Sequence, residues 1–381
     1  MDTDTQHKRR RALLIAALVI ALISGGWYAY THIFLANLVS TDDAYVHGNR
    51  VPISPQVAGT ITTVWVQDTD HVHQGQLLVD LDPADAKVAL SKAEAALALA
   101  VRQVQKQRAD MDALQSRIAA DRARLNLATI NFQREKKLRA RGVSSQEQFD
   151  QARAAMEVAR NTVAIDKARA KAARTILGTG SISENPAVQR EAEAVRAAWL
   201  NLQRTKIRAP VSGYVAERAA QVGEQVNPGR VLMYVVPLND VWVDANFKET
   251  RLSHVRIGQP ATLTADFYGG TVAYHGKVAG LSAGTGEAFA LLPPQNATGN
   301  WIKVVQRLPV RISLPTDELE HHPLRLGLSM NVSINTADQS GPLLQTRNHP
   351  LPQENASALF ARQLAGVNAV IERIIRANSM D

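Results

Sequence analysis

The chain has 381 residues, 45% apolar and 20% charged, which is enough to bury a core and too apolar for wholesale disorder. It has no cysteine, which excludes a disulfide framework, a thiolate metal site, a cysteine nucleophile and a lipidated N-terminal cysteine. The formal charge of +8 allows an anionic partner, but aromatics make up only 5%, unlike surfaces that stack single-stranded bases.

Lys8, Arg9, Arg10 and Arg11 precede an uncharged run from Ala12 to Thr41 that is apolar to about Leu35. Some 23 such residues can cross about 30 Å of hydrocarbon as a helix. The basic cluster lies on the N-terminal side of the run. It predicts a cytoplasmic tail over 1–11, a single transmembrane helix over 12–35 and the rest of the chain on the far side, the periplasm in a bacterium. Trp27, Tyr28 and Tyr30 suit the far interface. A cleaved signal peptide is the rival reading. The apolar run exceeds the usual h-region of roughly 7–15 residues, and no clear A-x-A site follows it. On this topology most of the positive charge faces away from nucleic acid.

Beyond the linker at 36–53, which is expected to hold a strand over Val46–Ile53, the chain carries an internal repeat. Aligning Gly59 with Gly213 aligns Val72 with Val226, Gly75 with Gly229, Leu78 with Leu232 and Pro83 with Pro237, without a gap. Each copy reads as short strands joined by glycine turns. Two such copies, 54–83 and 206–237, can pair face to face into one flattened β-domain. The residues between them must then leave and return at nearly the same place.

Those residues are almost free of helix breakers. Of 22 Gly and 16 Pro in the chain, 84–205 holds Gly142, Gly178, Gly180 and Pro186. Leu90, Leu97, Val104, Met111, Ile118, Leu125 and Phe132 recur every seven residues. Phe149, Met156, Val163, Ala170 and Leu177 do so on the return, with Ala152, Ala159 and Ala173 three residues after their heads, and Val188, Val195 and Leu202 resume the spacing after the glycines. This pattern predicts an antiparallel coiled-coil hairpin, with its tip at about 139–146 and an outgoing arm of about 85 Å. Ser145 is the expected N-cap of the returning helix, with Glu147 in support. A compact bundle would want more breakers and a broader apolar face.

The region 238–336 alternates in short runs, Val241–Phe247, Ala261–Phe267, Ile302–Val305, Val310–Leu314 and Met330–Ile334, which predict one or two antiparallel β-barrel units. In the tail, 337–381, residues 356–377 return to helical spacing through Phe360, Leu364, Val367, Ile371 and Ile374. Packing on its own domain, lying on a membrane and binding a partner are all open for this helix.

Few residues suggest chemistry. His71/His73 and His321/His322 have no acidic or sulfur partners at metal spacing, and Asp42/Asp43 and Asp80/Asp82/Asp85 stand in turn contexts where carboxylates cap chain ends. No nucleophile elbow, Walker A loop, dinucleotide fingerprint or zincin motif occurs. Gly284-Thr-Gly286 is too short for a phosphate cradle, and the sequons at Asn296, Asn331 and Asn355 read as loop chemistry. The expected protein is a rod-and-barrel adaptor, with no catalytic residue, metal or cofactor.

The split repeat resembles the lipoyl-like (barrel-sandwich) domain of the membrane fusion proteins, the periplasmic adaptors of the HlyD type, with a helical hairpin inserted between its halves. The segments Thr41–Val46, Val241–Thr250, Arg256–Pro260 and Leu291–Ile312 are similar to the multidrug-efflux branch of that family. The resemblance implies an α+β chain: membrane helix, hairpin in a split lipoyl-like domain, then a β-barrel and membrane-proximal domain. It also implies a self-associating stalk joining an inner-membrane transporter of the major facilitator type to a TolC-like outer-membrane channel. Related adaptors meet the channel through an R-x3-L-x6-S tip pattern, which falls here on Arg134, Leu138 and Ser145. An adaptor for ABC-driven peptide or protein secretion shares the architecture and is the nearest alternative. A lipoyl carrier would need a modifiable lysine in the turn between the halves, and helix replaces that turn here.

Overall fold

In the computed structural model, residues 15–21, 23–26, 37–178, 180–289, 303–344 and 360–379 are described. Among these, no helix is long and apolar enough to cross a membrane. Of the expected membrane segment, 15–21 and 23–26 are helical and exposed. The rest of 12–35, together with Lys8, Arg9, Arg10 and Arg11, lies outside the described residues.

Two β-bodies carry the chain, and the first is built from the repeat. Strands β2 (Val51–Ile53), β3 (Gly59–Val64), β4 (His71–Val72) and β5 (Leu77–Leu81) come before the helices, and β6 (Lys206–Arg208), β7 (Gly213–Ala216), β8 (Gln225–Val226) and β9 (Met233–Val236) after them. They form two four-stranded sheets, β2-β9-β7-β4 and β6-β5-β3-β8. Exchanging the two copies converts one order into the other. The pairings obey the same exchange: Gly59 faces Val226, and Val72 faces Gly213. The alternating residues of both sheets, among them Ile61, Leu78, Leu81, Val215, Leu232 and Val235, bury one shared core. Gly213 has a steric reason: a Cβ there would stand 2.5 Å from the Val236 carbonyl oxygen. Its counterpart Gly59 has only Leu81, at 3.4 Å. Gly75 and Gly229 occupy equivalent left-handed turns, with φ of 86° and 88°.

Between the copies runs the rod. Helix α1 (Ala84–Ala140) goes out in 57 unbroken residues, and α2 (Gln146–Leu177) and α3 (Pro186–Arg204) come back. The return limb breaks at Gly178, whose φ is 77°. Asn185 repairs the break, accepting from the Ala187 amide at 3.0 Å and donating to the Leu177 carbonyl at 3.2 Å. The seven-residue apolar series supplies the seam: Met111 and Ile118 pack with Ala170, Ala173 and Leu177. At the base, Leu97, Val101 and Val104 of α1 pack with Val188, Ala192 and Val195 of α3.

One layer of the seam is acidic. Asp121 and Asp166 each stand three residues after a seam residue, Ile118 and Val163, and are 3% and 1% exposed. Arg124 reaches the Asp121 Oδ1 at 3.0 Å, Arg169 the Asp166 Oδ1 at 3.2 Å, and Arg117 the Asp166 Oδ2 at 3.0 Å. The Oδ2 of each aspartate accepts no hydrogen bond. Apolar periodicity passes over both residues, because the heads of the series stay intact around them.

The second β-body is one closed barrel of six strands. Its strands are β1 (Leu38–Gly48), β10 (Val241–Lys248), β11 (Pro260–Ala265), β12 (Ala273–Leu281), β13 (Arg307–Ser313) and β14 (Ser329–Asn335), in the order β1-β10-β13-β12-β11-β14. Strand β10 alternates buried and half-buried along its length. Burial pushes the Tyr274 hydroxyl up to about 12, with Tyr268 and Glu318 adding to the shift. The hydroxyl therefore stays protonated and donates to the His322 carbonyl at 2.9 Å.

Three local expectations need correction. Val46–Ile53 is not one strand: β1 and β2 split at Asn49-Arg50 and enter different β-bodies. Residues 303–305 form no strand, because the β10–β13 ladder ends at Lys248 opposite Arg307 and β10 then curls into a 3₁₀ turn, so no partner backbone remains. Residue 302 lies outside the described residues. The strand expected over Ala261–Phe267 stops at Ala265, the last residue paired with β14, and Asp266–Tyr268 turn away as 3₁₀ helix.

The tail helix resumes as a 3₁₀ turn at Phe360–Leu364 and α5 (Val367–Asn378), α4 being the short Thr316–His321 of the barrel. Residues 356–359 lie outside the described residues. Helix α5 packs on the rod base: Val367 and Ile371 join the α1–α3 cluster, and Trp199 of α3 donates to the Gln363 carbonyl at 3.1 Å.

Replacing a buried ionic layer by apolar side chains of similar size is commonly neutral or stabilising, by up to about 4 kcal/mol. The Asp121→Leu/Asp166→Leu double variant is expected to raise the thermal midpoint, and Arg117→Ala to lower it. Circular dichroism melts of both variants check this.

Candidate functional site

The rod tip is closed by two local motifs that meet head to tail. At the end of α1 the Val143 amide donates to the Leu138 carbonyl at 3.1 Å and the Gly142 amide to Arg139 at 2.9 Å. That is a Schellman closure, and it needs Gly142 at φ 73°. At the start of α2, Ser145 Oγ accepts from the Gln148 amide at 3.2 Å while Gln148 Oε1 accepts from the Ser145 amide at 3.0 Å. This is a reciprocal capping box. Gln148 closes it, and the expected support from Glu147 is not seen: Glu147 instead accepts from Gln151 at 3.2 Å. Only a side chain at the third helical position reaches back to the cap.

Side chains fasten the turn to both helices. Ser144 Oγ donates to Glu135 of α1 at 2.7 Å. Phe132 and Phe149 pack across the seam with ring centroids 5.5 Å apart, and Arg139 stacks on Phe149 at 4.6 Å. Val143 at the apex is 72% exposed.

Each residue of the expected tip pattern now has a place. Leu138 is half-buried and supplies a carbonyl to the turn, and Ser145 is the N-cap. Arg134 lies one helical turn before Leu138, exposed, lining a groove between α1 and α2 with Asn131, Gln148 and Gln151. Among the described residues its guanidinium has no hydrogen-bond or ion-pair partner. The fold accounts for Leu138 and Ser145, and leaves Arg134 available to an outside group.

The remaining candidates are structural. Asp43 accepts from Asn246 at 3.1 Å and pairs with Arg307 at 2.6 Å, tying β1 to β10 and β13. Asp80 accepts from the Trp65 indole at 2.9 Å, and Asp82 from the Ala84 amide at 2.9 Å, at the start of α1. His71 sits edge-on to both His73 and Tyr214, with centroids 5.0 Å apart in each case. Among the described residues no group of three or more His, Asp or Glu could hold a metal ion.

A two-helix rod inserted in a split β-domain beside a closed barrel is the build of a membrane fusion adaptor. The model of the EmrA α-helical hairpin domain matches residues 84–205. The multidrug export protein EmrA of Escherichia coli K12 is 47% identical over 92% of this chain and 90% of its own. The fatty acid resistance protein FarA of Neisseria gonorrhoeae is 45% identical over 92% and 89%. A solved periplasmic adaptor EmrA aligns at 19% identity and a TM-score of 0.39, covering 79% of this chain and 99% of that one. The chain belongs to the EmrA-type membrane fusion proteins.

Removing an N-cap hydroxyl costs about 1 kcal/mol, roughly a fivefold change in a local opening equilibrium. Ser145→Ala is expected to speed amide exchange at 146–148 by about that factor and to leave α3 unchanged, as read by hydrogen exchange with mass detection.

Proposed function

We propose that this chain is the adaptor of a tripartite multidrug efflux pump. In this reading it joins an EmrB-like inner-membrane transporter of the major facilitator type to a TolC-like outer-membrane channel. The observation that carries the reading is the two-helix rod set in a split β-domain, in a chain 47% identical over 92% of its length to a multidrug export adaptor. Residues 12–35 anchor the chain as one membrane helix, with Lys8, Arg9, Arg10 and Arg11 on the cytoplasmic side, and the bulk of the chain stands in the periplasm. The barrel docks on the transporter. Copies of the split domain pack side by side, so that their rods form a bundle. Arg134, Leu138 and Ser145 present the tip to the channel, with Arg134 as the charge the channel recognises. The role is mechanical, and no bond of the cargo is made or broken. Secretion driven by an ABC transporter would use the same build, and the drug-export relatives favour efflux.

In a strain lacking redundant pumps, deleting the gene is expected to raise sensitivity to hydrophobic uncouplers. The native gene should restore resistance, and Arg134→Glu, made to the same level, should restore less than a tenth of it. Unchanged susceptibility on deletion contradicts the efflux role. Full rescue by Arg134→Glu contradicts the tip assignment.

A further inference from the structure

Where α3 enters the split domain, a pocket of about 240 Å³ opens beside β2, β6 and the tail turn at Phe360–Leu364. Drug-sized ligands take roughly 300–1,000 Å³, so this space suits something smaller.

The repeat shows which of its residues the fold does not require. The offset that sets Gly59 on Gly213 also sets Ile53 on Ile207, Pro52 on Lys206 and Ser54 on Arg208, and all six line the pocket. Equivalent strands of the two copies therefore meet here. Ile53 and Ile207 both turn into the shared core. The positions on either side carry proline and serine in one copy and two cations in the other. The β-fold is thus satisfied at these positions without charge.

Arg204 adds a third cation. Its equivalent in the repeat is Arg50, which is bound to Glu217 at 2.7 Å. The equivalent of Glu217 is Thr63, so Arg204 has no such acid. Its Nε is shut off from solvent and has no hydrogen-bond partner. Nor is Arg204 needed to close α3. The Thr205 hydroxyl donates to the Leu202 carbonyl at 2.8 Å, and the Thr205 carbonyl accepts from the Leu81 amide at 2.8 Å. Among the described residues, the Arg204 and Lys206 side chains have no hydrogen-bond or ion-pair partner. Arg208 donates to the Gly75 carbonyl at 2.9 Å. Among the described residues, no aspartate or glutamate lines the pocket.

We infer that this pocket binds a phosphate dianion, either the free ion or the head of a phosphomonoester, held by Arg204 and Lys206. Two uncommitted cations with no acid beside them match a dianion better than a carboxylate, and a guanidinium can donate to two phosphate oxygens at once. The Ser54 hydroxyl and the Gln363 amide line the same space, without side-chain partners among the described residues, and supply further donors. Gln363 belongs to the tail turn, so the bound ion ties the end of α3, the split domain and the tail together. The site does not depend on what the rod tip or the barrel docks against.

The full chain in phosphate-free maltoside solution is titrated with inorganic phosphate by calorimetry, at pH 8 and constant ionic strength. One saturable site per chain is expected, with acetate bound at least tenfold more weakly. Lys206→Gln should weaken phosphate at least tenfold and leave the melting temperature in phosphate-free solution unchanged, since Lys206 is exposed and its side chain unpaired. Saturating phosphate should slow amide exchange over 367–378 in the native chain and not in Lys206→Gln. Glycerol 3-phosphate separates the two sources: displacement of phosphate assigns the site to phosphomonoesters, and no displacement assigns it to the free ion. No saturable binding, equal binding of acetate, or undiminished binding to Lys206→Gln overturns the site. Exchange over 367–378 that ignores bound phosphate overturns the tie to the tail.

Discussion

The whole molecule depends on one short ladder. Strand β5 pairs with β6 through Leu77–Arg208, Val79–Ile207 and Asp80–Lys206, and the Leu81 amide donates to the Thr205 carbonyl at 2.8 Å. These bonds join residues 124 to 131 positions apart in the chain, so everything between them must start and finish at one place. A helix that leaves can return only as an antiparallel partner of matching length. The 57 residues of α1 are answered by α2, a repaired break and α3. A long loop closed this way costs little more entropy than a short one, since closure entropy grows only with the logarithm of length. The rod is therefore an inexpensive insertion into a domain whose core does not need it.

The same closure explains where stability and reach divide. The core of the split domain is filled equally by both copies, and the rod base is thickened by α5 from the far end of the chain. Beyond that base the seam is narrow, two helices deep, and holds the acidic layer of Asp121 and Asp166. A slender rod with a well-closed tip can carry contact surface far from the β-bodies at small cost in chain. Two helices cannot bury much more than one seam, so stiffness at the base has to come from a third helix.

Patterns with a strict period were legible in the sequence. The seven-residue series from Leu90 to Phe132 marks the residues that turn inward along α1, and the repeat through Gly59 and Gly213 marks how the strands of the split domain pair. The tip was legible because its turn chemistry is local: a glycine that must be left-handed and a serine that must cap. What escaped depends on partners distant in sequence. Strand β12 carries Gly276 in its middle and alternates weakly, yet β11 and β13 on either side make it a strand. Val304 and Val305 look like strand and have no neighbour to pair with. Nothing in the apolar periodicity marks Asp121 and Asp166, which the antiparallel register sets in the seam.

The central claim is polarity: the tip of the rod and the barrel face different partners. A photo-cross-linking residue placed at Val143 in living cells measures this directly, since Val143 stands exposed at the apex. The account predicts adducts with an outer-membrane channel protein and none with the inner-membrane transporter. Adducts with the transporter alone would contradict it.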